Sequence, residues 1–501
     1  MTALRVPGAA PDEPAANDDA AKTARATADE PAAEAVPAAA DEPAAAEAIQ
    51  AAADEPAAEI GLAPVGTARS DATAVPATPA AAGRWPSPLR SLAVRNYRLY
   101  FTGQVISLTG TWAQWIAQDW LVLQLTNSGT VLGIVTALQF APALLLSLYG
   151  GALADRGDKR KLMLATQTGL GLAALVLGVL DLSGVVALWH VLVLAAIVGV
   201  FSALDSPIRQ SFAVEMVGPA DLPNAVALNS TSFNLARIVG PAIAGLVISA
   251  FGTGWAFLGN AASSIAVLAG LWLMRSADLF VSEPVQRQSG QYRAAVRYVS
   301  RRSDLMLPML LMFIVGTFGM NYQISIALVA KQVFHRGADS YGLLSTMLAI
   351  GATLGALAAT TRRTRPTRLF LIGAALAFSL AEMLAGLMPS FGLTAVALIP
   401  AGFTMITMAQ SANATVQLGV EPTMRGRVMG LYVLCFMGGT PIGAPIVGWV
   451  AEVFGPRWGM LGGGLICLVA TLLVAGYLSR HRHVGAGQLK DRLRTPPPFL
   501  G

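Results

Sequence analysis

Charge is scarce in this sequence. Asp, Glu, Lys and Arg make up 13% of its 501 residues, about half the share of a soluble domain, so an ordinary water-soluble body is excluded. Cysteine is nearly absent. Cys435 and Cys467 both sit inside apolar runs, without disulfide or metal-ligand spacing, and read as small hydrophobes. Four histidines, His190, His335, His481 and His483, fall at helix ends or in the C-terminal stretch and do not cluster. No metal site, no cofactor and no catalytic constellation is therefore expected, and the chain is not read as an enzyme. No Gly-x-x-x-x-Gly-Lys-Ser/Thr run occurs, which excludes direct drive by ATP. The first 83 residues lack an apolar core segment, so no secretory signal is expected there.

What the chain has instead is apolar length. Hydrophobic residues make up 54% and mean hydropathy is +0.57. From Arg84 onward, apolar runs near the roughly 20 residues that cross a bilayer as a helix follow one another. They lie near 99–124, 131–154, 162–182, 187–206, 225–251 and 255–274, then near 306–333, 341–361, 369–388, 391–415, 427–454 and 458–478. Fifty glycines suit closely packed helices. Residues 1–83 differ: they are Ala, Pro, Glu and Asp, with ADEPAA at 28–33, 40–45 and 53–58. That composition offsets too little chain entropy to fold, and a disordered acidic tail is expected.

Charge becomes informative once divided. Residues 1–83 hold fourteen acidic and four basic residues, the remainder fifteen and thirty. Nucleic-acid binding is not expected from the basic part, because Lys and Arg gather on the cytoplasmic side of membrane proteins. With both termini cytoplasmic, inner segments hold twenty-six Lys/Arg and outer loops three: Lys331, Arg336 and Arg457. The expected location is the cell (inner) membrane, multi-pass.

The chain also repeats itself. GALAD at 151–155 resembles GALAA at 355–359, and Pro219, Gly240, Gly245, Phe251 and Gly252 match Pro422, Gly443, Gly448, Phe454 and Gly455. Hence the expected fold: an all-α membrane protein of twelve transmembrane helices in two parallel six-helix repeats, with a substrate path between them. The expected divisions are the tail 1–83, a bundle 84–274, a linker 275–305, a bundle 306–480 and a cytoplasmic tail 481–501. Within the linker, QYRAAVRYVSRR at 291–302 reads as an amphipathic helix.

GGALADRGDKRK at 150–161 resembles the loop between the second and third helices of the major facilitator superfamily. Gly151, Asp155, Arg156, Lys159 and Arg160 occupy its motif positions, and Asp158 replaces the usual second glycine. NLARIVGPAIAGLV at 234–247 resembles the fifth-helix motif of proton-coupled antiporters, through Arg237, Gly240, Pro241 and Gly245. With SALDSPIRQSF, EPTMRGRVMGLY and the opening LRSLAVRNYRLYFTGQVISLTGTW, residues 89–478 look like the secretion-effector branch that includes enterobactin exporters and macrolide efflux pumps.

The resemblance implies a gating latch of Gly151, Asp155, Arg156, Lys159, Arg160 and Asp205. In it, Asp155 caps the eleventh helix and Lys159 or Arg160 pairs with Asp205. Arg237, a buried cation, needs a partner or water, and Asp205 or a substrate anion is the expected one. A polar stripe in the first helix, Gly103, Ser107, Gly110, Gln114 and Gln118, recurs in part as Gly316, Gly319 and Gln323 in the seventh. Gln114, Gln118, Asn321, Tyr322, Gln323, Gln410, Asn413 and Tyr432 are cavity candidates. Asp119 and Glu382 are the candidate proton carriers. The expected function is proton-coupled export of a small amphipathic organic molecule by alternating access, with substrate, protons and lipid as partners and a monomeric state. The alternatives are uptake by symport or facilitated diffusion, or a non-transporting receptor or scaffold.

Overall fold

A computed structural model describes residues 87–280, 291–362 and 365–494, with backbone alone for 147–152, 154–156, 291–292 and 477–494. The expected acidic tail lies outside the described residues. Those residues form helices joined by short connections, with no strand among them.

Ten described segments are long and apolar enough to cross a bilayer. One of them, Leu188–Phe251, has 64 residues, roughly 96 Å of helix and about three times the hydrocarbon thickness. It folds back at Gly218, whose φ of +72° breaks the helix. Glycine alone enters that region without steric cost, and the segment becomes two spans. Arg95–Thr126 falls below the hydropathy of the others because it carries glutamines, and it completes twelve. We label the spans α1 (Arg95–Thr126), α2 (Gly129–Arg156), α3 (Lys159–Leu182), α4 (188–217), α5 (219–251) and α6 (Thr253–Trp272). The second set is α7 (Ser303–Val333), α8 (Ala338–Thr360), α9 (Arg368–Leu387), α10 (Phe391–Gly419), α11 (Pro422–Phe454) and α12 (Arg457–Arg494). The linker helix, Gln291–Ser300, lies between them. Its Ala295 and Val299 are buried with Leu305 and Val428, so its apolar stripe packs on protein.

Five spans depart most from the sequence reading, α5 among them by starting at 219 rather than 225. Helix α4 continues past residue 206 to the turn at Gly218. Helix α7 is broken: π-helical segments occupy Val315–Gly319 and Val329–Val333, with a turn at 320–321. Helix α11 starts at Pro422 rather than 427, with a break at Gly439. The C-terminal helix runs to Arg494, beyond 480.

The matched glycines make equivalent contacts. A Cβ on Gly240 would strike Trp112 of α1, and one on Gly443 would strike Thr317 of α7, each the first helix of its repeat. One on Gly245 would meet the backbone of Ala338 and Asp339 at the start of α8, and one on Gly448 that of Gly129 at the start of α2. Small residues thus bring α5 onto α8 and α11 onto α2, and these two pairs join the repeats. Large side chains such as Leu246, Trp272 and Leu473 stay exposed on the outside, where lipid tails would surround them.

Candidate transport cavity and its gates

A cavity of about 640 Å³ lies among α1 to α6 and α11. Its lining runs from Gln114 and Asn260, deep in the bundle, to Gln210 on α4 and Val296 of the linker helix. It therefore opens on the linker side. Trp112, Trp115, Phe140 and Phe233 supply an aromatic wall, while Gln104, Gln139, Gln167 and Arg209 supply polar groups.

The opposite side is closed. There Tyr341 on α8 donates to Oδ2 of Asp119 on α1 at 2.6 Å, and Trp120 stacks on the Tyr341 ring at 6.3 Å. Lys331 donates to the Leu123 carbonyl, and Gln332 to that of Asn127 at 3.0 Å. Ser128 Oγ and Thr130 N both donate to Oε2 of Glu452, at 2.5 and 2.9 Å. A sixth bond, Thr346 to the Ile238 carbonyl at 3.3 Å, lies at mid-depth. Among the described residues, hydrogen bonds between the repeats run from this far end to mid-depth. This is a linker-open form.

Of the expected latch, Lys159, Arg160 and Asp205 are engaged within their own half. Lys159 pairs with Glu215, not Asp205. Asp205 is fully buried and accepts from Thr166 Oγ1 and Gln167 Nε2, both at 2.8 Å, and from Arg209 four residues on. The reason is helix geometry. Helices α3 and α4 run antiparallel, so Lys159, roughly 11 Å before Thr166, lies beside the part of α4 beyond Asp205, and its long side chain reaches Glu215, roughly 15 Å past Asp205. Arg160 donates instead to the carbonyls of Leu271 and Trp272, at 2.7 and 2.8 Å, and to Ser276, capping the C-terminal end of α6. Asp158, the residue at the usual glycine position, caps α3 through its Oδ1 and Lys161 N at 3.1 Å. Gly151, Asp155 and Arg156 are described by backbone alone.

Arg237 is buried. It donates to Asn234 Oδ1 at 3.2 Å, its Nε has no partner, and Asp205 is not its partner. It lines a second, water-sized void with Trp112, Pro241, Tyr322 and Gln323. Gly240, Pro241 and Gly245 pack against α1 and α8.

Of the cavity candidates, Gln114 lines the large cavity and accepts from Asn260 at 2.5 Å. Gln118 is buried elsewhere. Asn321 donates to the Thr317 carbonyl at 2.6 Å, bracing the break in α7. Tyr322 and Gln323 face Arg237. Tyr432 is buried, with its hydroxyl on the Ala409 carbonyl at 3.0 Å. Gln410 is exposed and Asn413 half-buried, both outside the cavity lining. Glu382 is buried and its Oε2 has no partner.

The stripe in α1 is rotated from the expected one. Gly103 and Gly110 pack on α6, while Gln104, Ser107, Thr111 and Gln114 face the cavity. The missed residues are the rings and Arg209. Trp112 and Trp115, three apart on the cavity face of α1, were the available signal.

A family model described as transmembrane secretion effector matches residues 86–500. Curated relatives include the staphyloferrin A transporter of Staphylococcus aureus, 26% identical over 74% of this chain and 94% of that protein. The enterobactin exporter EntS of Citrobacter koseri is 24% identical over 80% and 94%, and the multidrug efflux pump Tap of Mycolicibacterium fortuitum is 26% identical over 68% and 85%. Among solved structures, a bacterial homologue of the lysosomal transporter Spinster, inward-facing and occupied, superposes with a TM-score of 0.58 at 17% identity, covering 79% of this chain and 98% of that one. The nucleoside transporter NupG gives 0.59 at 13%, covering 77% and 98%. The chain belongs to the transmembrane secretion effector family of the major facilitator superfamily, and it is a membrane transporter rather than an enzyme.

Proposed function

We propose that this protein exports a small, partly apolar organic molecule in exchange for protons. Two halves, 84–274 and 306–480, joined by the linker 275–305, rock about the central cavity in alternating access, with both termini cytoplasmic. Relatives named for enterobactin export and multidrug efflux support the direction and the class of cargo, and the basic bias makes the linker side cytoplasmic.

The observation that carries proton exchange is the Asp119–Tyr341 bond across the closed side. Opening that side hydrates Asp119 and exposes it to external protons. Closing it again dehydrates the carboxyl, which costs least when the group is neutral. The return to the linker-open form thus carries a proton inward, and Glu382 is a second candidate carrier. Asp155, Lys159 and Arg160 are read as the latch of the opposite, outward-open form.

Metabolite analysis of cells lacking the gene identifies the compound that accumulates. In everted vesicles with an acid interior, the parent protein should concentrate that compound. Asp119→Asn should still exchange labelled for unlabelled compound but no longer respond to the gradient. Gradient-driven accumulation at the parent level in the variant would remove Asp119 from the coupling mechanism.

A further inference from the structure

The large cavity is chemically lopsided. Four of its lining rings form one edge-to-face chain. Phe233 meets Trp112 at 5.6 Å and 70°, Trp112 meets Trp115 at 4.8 Å and 63°, and Trp115 meets Phe140 at 6.1 Å and 63°. Rings locked in this way present a finished surface, and a flat ligand ring has little to reorder on binding.

The polar part is different. Among the described residues lining the cavity, Arg209 alone carries charge. Its side chain is 28% exposed, while Asp205 behind it is fully buried. Asp205 takes one guanidinium nitrogen and is itself held by Thr166 and Gln167. A guanidinium has five N–H donors in a fixed fork; Nε is buried without a partner, so a ligand meets the exposed part of the side chain. A cationic ligand would find π faces but no carboxylate in this lining, and it would face Arg209. An anion finds a part-exposed guanidinium and a counter-charge already fixed behind it.

We infer that the cargo is an anionic amphipathic molecule with at least one flat ring. The ring lies on the Trp112–Trp115 wall, and a carboxylate, phenolate or sulfonate group is taken by Arg209. Asp205 is then a positioning residue that holds the fork toward the cavity. This inference rests on reading the cavity as the transport site, and it narrows the substrate class.

The test is calorimetric titration of the full chain in detergent with an isosteric pair, naphthoate and naphthamidinium. Naphthoate should bind at least about tenfold more tightly, the scale of a charge-assisted hydrogen bond. Arg209→Lys should keep the preference. Arg209→Gln leaves Asp205 buried and unpaired, so the Arg209→Gln/Asp205→Asn double variant is measured beside it, and it should lose the preference while keeping the parent's unfolding midpoint. Trp115→Leu should weaken both probes alike. Equal or tighter binding of the cation, no binding of naphthoate, or an unchanged preference in the folded double variant would overturn the inference. The titration needs no proton gradient, so failure of proton exchange in vesicles leaves it standing. Conversely, a preference for the cation would sink it while leaving transport intact.

Discussion

At the scale of single residues, Gly443 shows how little room the packing leaves. A Cβ there would collide with the carbonyl of Thr317 and come within 2.8 Å of Asn321 Nδ2, the two groups that hydrogen-bond to brace α7. Backbone cannot rotate away as a side chain does, so Gly443→Ala should cost about 1–3 kcal/mol and lower the unfolding midpoint in detergent by several degrees. Gly373 has nothing within 4 Å of an added Cβ, and Gly373→Ala should change stability by less than about 0.5 kcal/mol. Equal midpoints for the two variants would contradict the α7–α11 contact. The sequence already paired Gly443 with Gly240, but it could not say what each glycine touches. That depends on which helix arrives from elsewhere in the chain. Asp205 teaches the same lesson. Its charge was legible, but its burial and its partners Thr166 and Gln167 were set by the relative depth of α3 and α4, which no local pattern records. The cavity rings were overlooked because an aromatic residue in an apolar run looks like any lipid-facing or core side chain.

At the scale of elements, the most informative junction is the N-terminus of α2. Ser128 caps it, accepting from Val131 N at 3.2 Å. The same Ser128 donates to Glu452, which also accepts from Thr130 N. A carboxylate from the end of α11 thus sits on the positive end of α2, across the two repeats. Glu452→Gln keeps the shape and removes the charge. With a cysteine in place of half-buried Val131, and Cys435 and Cys467 removed, it should label about two- to fivefold faster from the side away from the linker, the scale of a helix-dipole interaction. Unchanged labelling would mean that Glu452 merely rests there. Twelve spans and their repeat were legible because apolar length and basic loops are local signals. The interruption of α7 at Val315–Gly319 was not, because Gly316 there packs against the Phe436 carbonyl of α11, a neighbour no local pattern records.

At the scale of the whole molecule, the α2–α11 pair is a candidate two-ended switch. In this linker-open form, the end of α11 caps the start of α2 at the far side through Glu452. The repeat symmetry and the loop motif call for the reciprocal contact in the outward-open form, with the end of α2, at Asp155, capping the start of α11 near Pro422. We propose that each contact forms in one state only, since only such differential interactions move a conformational equilibrium. Asp155→Asn should therefore shift the protein toward the linker-open form, and Glu452→Gln away from it, each by a factor of about two to five. The two sites lie at opposite ends of helices that cross the bilayer, so their effects should add without coupling, and the double variant should return near the parent distribution. The readout is labelling of a cysteine at Ser206, exposed in the cavity lining, from the linker side, beside the cysteine at Val131 from the other side. Asp155→Asn should raise the first rate and lower the second, Glu452→Gln should do the opposite, and the double variant should restore both. If the double variant labels like either single variant, the two ends are not balanced against each other, and the loop after α2 sets topology without gating.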